Sequence, residues 1–455
     1  MDAPPPSNEY LDANGGIPLS PSVREAWSTL CMCTNPSNAL AKAGKRTALV
    51  YAKAEKRLMS ILTEQPDAWQ LIVLSGSTEG IITAITNGAR VGEGLARIST
   101  ASYEAWSDDD DDLDLPLPRP APISRGGGGE TTSASSSLPS SLLPTSSSPS
   151  SSPPSYDGRI LCLSGYHPCV TEIAERWPSQ YGVPLALTHC EASLPAVESA
   201  LTGSETPFSA IFITQVASLS GRIADCGAIA TAFKHSNPNG LVVIDGTQAV
   251  GKIPVIVEET GADVYIFSGH KFGALKGVGG MLLRQSVLPR WMPLVPGSQQ
   301  GGLRGGTLNV QGLFSMDLAL CDATTSLPSK IAKTRACIEK ICSLLDGLRL
   351  PRVRILAPTR DGLYTWNTIL ITVPLCSRRI ASELSKLGYD VGIGTACQTQ
   401  SGGGAEEEDP AKRSPFQIRI SMVPGQTVDE EKFVSAIRKS YRRVLRAALA
   451  SSTLA

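Results

Sequence analysis

Val264 to Arg284 reads VYIFSGHKFGALKGVGGMLLR, and this stretch decides the fold. Val264 to Phe267 is short, β-branched and aromatic, the composition of a buried strand, and Ser268 and Gly269 break it at once. Lys271 therefore stands just past a strand end. Held between an apolar strand and the close-packing glycines Gly273, Gly277, Gly279 and Gly280, its amine is expected to lose water, which lowers its pKa and makes it nucleophilic. An amine of that kind forms a Schiff base with an aldehyde. A lone lysine at a strand end is more often simply exposed, so the rest of the chain must decide between the two.

The 455 residues exceed one small core, and two or three domains are expected. A hydrophobic content of 42% suits a soluble globular protein with a sizeable core. The net charge of −1 gives no ground for a nucleic-acid or membrane partner. Eleven cysteines are scattered without a C-x-x-C pair, Cys31 and Cys33 forming only C-x-C, so neither a metal site nor a disulfide framework is written in the spacing. A reducing compartment follows, with the cytoplasm expected and the mitochondrion as the alternative. The N-terminus is acidic and proline-rich, unlike a signal or transit segment, and no apolar run is long enough to span a bilayer.

Strands and helices alternate through the first two thirds. Ser20 to Leu30 opens a helix with Ser20 as N-cap and Pro21 at its first position. Residues 39–62 carry apolar residues at helical spacing. Gln70 to Leu74 is a short strand running into SGSTEG, and a helical pattern resumes at Ile81. A hydroxyl-rich turn between strand and helix presents backbone N–H groups to an anion, although a plain N-cap has the same residues. Arg159 to Leu163 is a strand followed by GYHPCV with His167 in the turn. Ala210 to Thr214 and Leu241 to Ile244 are further strands, the second ending in Asp245, and Asp225 to Lys234 is helical. This alternation predicts an α/β fold with a mostly parallel central sheet covered by helices. Ligands of such sheets sit at the carboxyl ends of the strands. Ser77, Thr78, His167, Asp245, Gln248, Ser268, His270 and Lys271 then all fall at one edge.

From Ser107 to Tyr156 the composition changes to an aspartate run, a glycine run and Ser/Pro-rich sequence that cannot bury enough apolar surface to offset its ordering entropy. It reads as an insertion within residues 15–310, a large domain whose motifs continue on both sides. Residues 311–346 look helical, Thr368 to Val373 is a strand, Cys397 opens a Gly/Ser/acid-rich loop, Arg419 lies on a strand, and Val428 to Leu449 is a basic helix. Residues 311–455, joined by 1–14, form a smaller α+β C-terminal domain in this reading.

Together these residues make a chemical set: an amine for an imine, an acid at a strand end, a flat histidine, a phosphate cradle, a cysteine and an arginine for a carboxylate. Pyridoxal 5'-phosphate (PLP) uses most of them. Taken singly, Asp245 and His167 read as turn residues, and Cys397 as a reactive thiol in an exposed setting or a small hydrophobe.

In order along the chain, YLDANGGIPL resembles Y-L-D-N-N-A-T-T-P-L, and SGSTEG resembles S-G-A-T-E-A. VVIDGTQAVGKIPV is similar to D-A-A-Q-A-x-G-K-x-P, and SGHKFGALKGVGG to S-x-H-K-x-x-G-P-K-G-x-G. GLRGGTLNV is similar to G-L-R-S-G-T-x-N, GTAC to G-S-A-C, and IRISMVPGQTVDEE to I-R-I-S-x-x-x-x-x-T-x-E-E. These resemble the class V, fold type I PLP enzymes, and among them the cysteine desulfurase and selenocysteine lyase group. The resemblance covers nearly the whole chain outside the insertion. It implies that Lys271 forms the imine with PLP and moves the α-proton, that His167 stacks on the ring, that Asp245 pairs with the ring nitrogen and that Gln248 bonds the phenolic oxygen. Ser77, Thr78, Ser268 and His270 would hold the phosphate, with Thr307 supplied by the other subunit of a homodimer. Cys397 would take sulfur from L-cysteine as a persulfide, leaving L-alanine, with a sulfur-acceptor protein as a further partner. Arg419 would hold the substrate carboxylate. L-selenocysteine is the alternative substrate, and a class V aminotransferase without sulfur chemistry the alternative activity.

The chain departs from the family pattern where Ala-Thr-Thr becomes Gly15-Gly16-Ile17. It also departs where a contacting asparagine becomes Ser218, expected to face the substrate. One arginine is missing from Gln299 to Arg304, and no histidine follows Asn35-Pro36-Ser37. These changes bear on substrate choice.

Overall fold

A computed structural model describes residues 9–36, 40–90, 158–181, 185–350, 353–356, 358, 363–394 and 417–452. The insertion at 107–156 and Cys397 lie outside the described residues.

The strands of the larger sheet are β2 (Trp69–Leu74), β3 (Arg159–Leu163), β4 (Ala186–Cys190), β5 (Ala210–Thr214), β6 (Leu241–Asp245), β7 (Val264–Ser268) and β8 (Gly279–Arg284), in the spatial order β2-β8-β7-β6-β5-β3-β4. From β4 to β7 every pairing is parallel, and β8 runs antiparallel between β7 and β2. The central strands are apolar on both faces because both are covered: Ile211, Ile213, Val242 and Ile244 join one cluster, while Phe212, Val243, Val264 and Ile266 join the other. A glycine-rich start hides β8 from sequence patterning. Gly280 and Gly279 face Phe267 and the backbone at Gly76 so closely that a Cβ would lie 2.3 Å and 2.8 Å from them.

The helices form where capping and spacing direct them. α3 (Lys42–Leu62) buries Val50, Ala54, Leu58 and Leu62 on one stripe, within the core cluster that α8 shares. Against it packs α8 (Val310–Thr324), whose Asp317 is 1% exposed and bonds Arg57 of α3, with Nε 2.5 Å from Oδ1. α4 (Ser77–Gly88) follows β2, α5 (Cys169–Tyr181) follows β3, α6 (Leu194–Thr202) follows β4, and α7 (Cys226–Ser236) is capped by Asp225, whose Oδ1 accepts from Ala228 N at 3.2 Å. The helix expected over 20–30 is two short turns, α1 (Pro21–Glu25) and α2 (Trp27–Cys31), meeting at Ala26. The helix expected over 311–346 is also two, α8 and α9 (Leu327–Gly347). Thr324 and Thr325 turn their hydroxyls back onto Leu320 O and Cys321 O, Ser326 is left-handed at φ 53°, and Pro328 starts the next helix.

The smaller sheet has the order β1-β11-β12-β10-β9, built from β1 (Glu9–Leu11), β9 (Arg354–Leu356), β10 (Thr368–Thr372), β11 (Tyr389–Ile393) and β12 (Gln417–Ser421). β1 pairs in parallel with β11, and the other pairings are antiparallel. Its apolar core gathers Ile338 and Ile341 of α9, Ile380 and Leu384 of α10 (Ser377–Lys386) and Phe433 and Ile437 of α11 (Glu430–Ser452). The change from one core to the other falls between α8 and α9. Immediately after β1, residues Asp12 to Gly16 cross from the small sheet to the carboxyl edge of the large one.

Candidate active site

Polar residues close β5, β6 and β7 at Thr214, Asp245 and Ser268, and the turns after these strands and after β3 lie at one edge of the sheet. Asp245 closes β6, is 5% exposed, and accepts from Thr247 N at 3.0 Å. Burial pushes its carboxyl up, opposed by hydrogen bonding to Thr247 and by the nearby charges of His167 and Lys271. His167, half-buried after β3, has its pKa lowered chiefly by burial, with Lys271 acting in the same sense and Asp245 against. Its Nδ1 accepts from Cys169 N at 3.2 Å, so the neutral ring carries its proton on Nε2. Lys271 ends a short 3-10 turn after β7, is 8% exposed, and donates to the carbonyls of Asn14 at 2.7 Å and Gly15 at 3.0 Å. Gln248 Nε2 donates to the same Asn14 carbonyl at 2.9 Å.

The anion end is built from three neighbouring strand ends. Gly279 of β8 pairs with Leu74 on one side and Ser268 on the other. The turn after β2 and the turn after β7 are therefore adjacent. Gly76 precedes α4 with no side chain to cap it and with open space where a Cβ would stand, which leaves first-turn N–H groups for an anion. Ser77 and Thr78 begin α4. Ser268 Oγ lies 2.9 Å from His270 Nδ1, and burial with Lys271, Lys276 and Lys252 lowers the His270 pKa to about 4, so the ring is neutral at pH 7. Glu79 accepts from Ser75 N and Oγ, both at 2.7 Å, and from Arg304 Nε at 3.1 Å, tying this turn to the loop that carries Thr307, which is exposed.

From the small sheet comes Arg419 of β12, 1% exposed, donating to Asp12 Oδ1 at 2.5 Å and to Ser218 O at 3.2 Å. Gly392 on the neighbouring strand is needed there, since a Cβ would stand 2.4 Å from Asp12 Oδ1. Arg419 Nε is buried without a hydrogen-bond partner among the described residues. Ser218 enters through its carbonyl, which also accepts from Asn14 Nδ2 at 3.1 Å.

Sequence reasoning missed two residues. Asn14, 3% exposed, is the hub just described, and Lys252, 2% exposed, donates to Asn14 Oδ1 at 2.9 Å and to Gln248 Oε1. Both stand inside quoted motifs, YLDANGG and TQAVGK, and that was the available signal. No disulfide joins the described cysteines, and burial raises the thiols of Cys162, Cys226 and Cys342 to about 12. Among the described residues no cluster of His, Cys, Asp and Glu could hold a metal, and no helix is long and apolar enough to cross a membrane.

A family model described as aminotransferase class-V matches residues 165–427, more than half of the chain. The chain belongs to the aminotransferase class-V family. Curated relatives of this class-V chain include a cysteine desulfurase of Rhodobacter capsulatus, 33% identical over 207 residues that cover 42% of this chain and 50% of the relative. A second, from a Frankia species, is 31% identical over 219 residues covering 44% and 48%. The chain thus spans about half the length of the curated relatives it matches. Solved structures similar to the class-V chain include a NifS-like protein of Rickettsia africae, with TM-score 0.68, 20% identity, 96% of this chain and 99% of that one. The apo structure of a cysteine desulfurase of Thermococcus onnurineus has the same TM-score at 14% identity, with 96% and 94% covered. At these identities the structures establish the fold, a class V α/β architecture.

Proposed function

We propose that the protein is a PLP-dependent cysteine desulfurase acting on L-cysteine. The observation that carries this reading is the grouping of buried Asp245 and Lys271 with half-buried His167 at one edge of a parallel sheet. The residues present fit the cofactor: an acid for a ring nitrogen, a lysine amine for an aldehyde, an amide donor on Gln248 for a phenolic oxygen, and an uncapped helix start with Ser77, Thr78, Ser268 and His270 for a phosphate. When bound, PLP supplies an electron sink for a negative charge at the substrate α-carbon.

The chain's own residues supply the rest. Asp245 would hold a proton at the ring nitrogen, and the neutral His167 would be the ring's stacking partner. Lys271 Nζ takes the proton from the α-carbon and returns it. Arg419, with an unpartnered Nε beside its Asp12 contact, receives the substrate carboxylate. The Cys397 thiolate attacks the substrate sulfur: the S–Cβ bond breaks, an S–S bond forms on Cys397, and Cβ gains a proton to give alanine. A thiol reductant or sulfur-acceptor protein then removes the persulfide sulfur. Thr307 is exposed on its loop and would serve the phosphate of a second copy in a homodimer.

Reconstituted protein supplied with cysteine and dithiothreitol is expected to release alanine and sulfide in equal amounts. Lys271→Ala should lose both the visible absorption and the release, and Cys397→Ala should keep the absorption while losing sulfide at least a hundredfold. Undiminished sulfide from the Cys397 variant would remove it as nucleophile, and a wild-type protein with no visible band would end the reading. Selenocysteine in a parallel assay separates the two substrates.

A further inference from the structure

Lys252 has no place in the chemistry above, yet at 2% exposure it is one of the most deeply buried cations among the described residues. Burying an ammonium costs several kcal/mol unless its N–H groups are satisfied, so its partners indicate what it does. The turn from Gly246 to Ile253 is helical, with Val250 N bonding Gly246 O at 3.0 Å and Ile253 N bonding Ala249 O at 3.0 Å. Gln248 and Lys252 are therefore four residues apart on one face. The Lys252 amine donates to two amide oxygens, Gln248 Oε1 and, at 2.9 Å, Asn14 Oδ1. Its own backbone is fixed by Trp366 Nε1, which donates to Lys252 O at 3.1 Å.

We propose that Lys252 is a positioning residue that sets the orientation of the Gln248 and Asn14 amides, so that the Gln248 nitrogen faces the Lys271 amine and any ligand oxygen beside it. The inference rests on the PLP reading of the site. A primary amide offers an acceptor at one end and two donors at the other, and its direction is fixed only by its neighbours. An amine beside Gln248 requires the oxygen to face it. The nitrogen is thereby turned toward the Asn14 carbonyl, which it shares with Lys271 at 2.9 Å and 2.7 Å. That bond uses one of the two Nε2 hydrogens, and the other remains for a ligand oxygen. Asn14 is fixed by the same logic: its Oδ1 is taken by Lys252, so Nδ2 is directed to Thr368 Oγ1 at 2.9 Å and Ser218 O at 3.1 Å. Burial, with Lys271 and Arg419, pushes the Lys252 pKa well below its ordinary range, against the pull of Asp12. A neutral amine still carries two N–H groups for its two acceptors, so the orientation holds in either charge state.

The test titrates PLP into apo-protein and follows the visible band, with a thermal midpoint to verify folding. Lys252→Met is expected to weaken PLP binding about tenfold, the worth of one oriented hydrogen bond, and to shift the band maximum. Lys252→Arg, which keeps the donors, is expected to stay within about threefold of wild type. Since Lys252 acts through Gln248, adding Lys252→Met to Gln248→Met should cost little beyond Gln248→Met alone. Lys252→Gln serves in place of the methionine variant if that protein is insoluble. An unshifted band with unchanged affinity in Lys252→Met overturns the inference, as does full additivity in the double variant. A wild type that shows no band overturns the functional reading beneath it, a different result from a yellow wild type indistinguishable from its variant.

Discussion

At the scale of single residues, burial sets protonation states even away from the site. Glu55 of α3 is half-buried, and desolvation raises its carboxyl to about 7. A raised carboxyl binds its proton more tightly folded than unfolded. Its penalty on stability is absent below the ordinary value of 4.5, grows between 4.5 and 7, and is complete above 7. Glu55→Gln, which cannot ionise, should match wild type at pH 4 and exceed it by about 2 kcal/mol at pH 8, allowing for partial exposure. Urea midpoints at the two pH values check this, and an equal gain at both would show that charge is not the cause. His270 works in the opposite sense. With its pKa lowered to about 4 it adds stability above 6.5 that is lost as pH falls toward 4, so the two groups partly cancel in wild type and the variant isolates one of them. That Lys271, Asp245, Gln248 and His167 lie at one sheet edge was legible from sequence because each stands in or just before the turn that follows a short apolar run. Asn14 and Lys252 were not, because they act through a bond between positions 238 apart, and no local pattern reports such a pairing.

The elements explain why the turn proposed to hold the phosphate depends on glycine. Gly279 opens β8 between Leu74 and Ser268, and a Cβ there would stand 2.7 Å from Phe267 O and 2.8 Å from Gly76 Cα. Both neighbours are backbone, so neither yields cheaply. Gly279→Ala is expected to push the Ser75–Ser77 turn outward, weakening PLP binding roughly tenfold and costing about 1–3 kcal/mol of stability, in the range of other overpacked sites. Fluorescence-monitored PLP titration and urea unfolding measure the two effects, and unchanged cofactor affinity would show that the turn does not form the anion site. The same glycines obscured β8 from a reading by period, since a strand that begins Gly-Gly has no side chains to alternate. β4 was hidden for another reason: it is an edge strand with mixed burial, and its Thr188 and His189 break an apolar run. The central strands were legible because coverage on both faces demands continuous Val, Ile and Phe.

Across the whole molecule, the segment from Asp12 to Asn14 joins the two sheets: Asp12 to Arg419 and Asn14 Nδ2 to Thr368 on the small-sheet side, and Asn14 through its carbonyl to Gln248 and Lys271 and through Oδ1 to Lys252 on the large-sheet side. The active edge is thus closed by the chain's beginning, a relation that the order of motifs along the sequence does not disclose. The stretch at 107–156, by contrast, lies outside the described residues, and the described residues on either side of it bear on what its removal should do. Residues 91–157 connect two points already bonded to each other, Gly158 N donating to Ala89 O at 3.1 Å where α4 ends and the approach to β3 begins. Deleting 107–156 leaves residues 91–106 and Asp157 to close a gap that needs only a few residues. The connection becomes roughly fourfold shorter, and the lower closure entropy should raise stability by about 1 kcal/mol. The deleted protein is expected to be soluble and yellow, with PLP affinity equal to that of the full chain. Colourless or aggregated protein would mean that the segment contributes to the fold, whereas soluble protein with full affinity but less sulfide release would assign it to turnover.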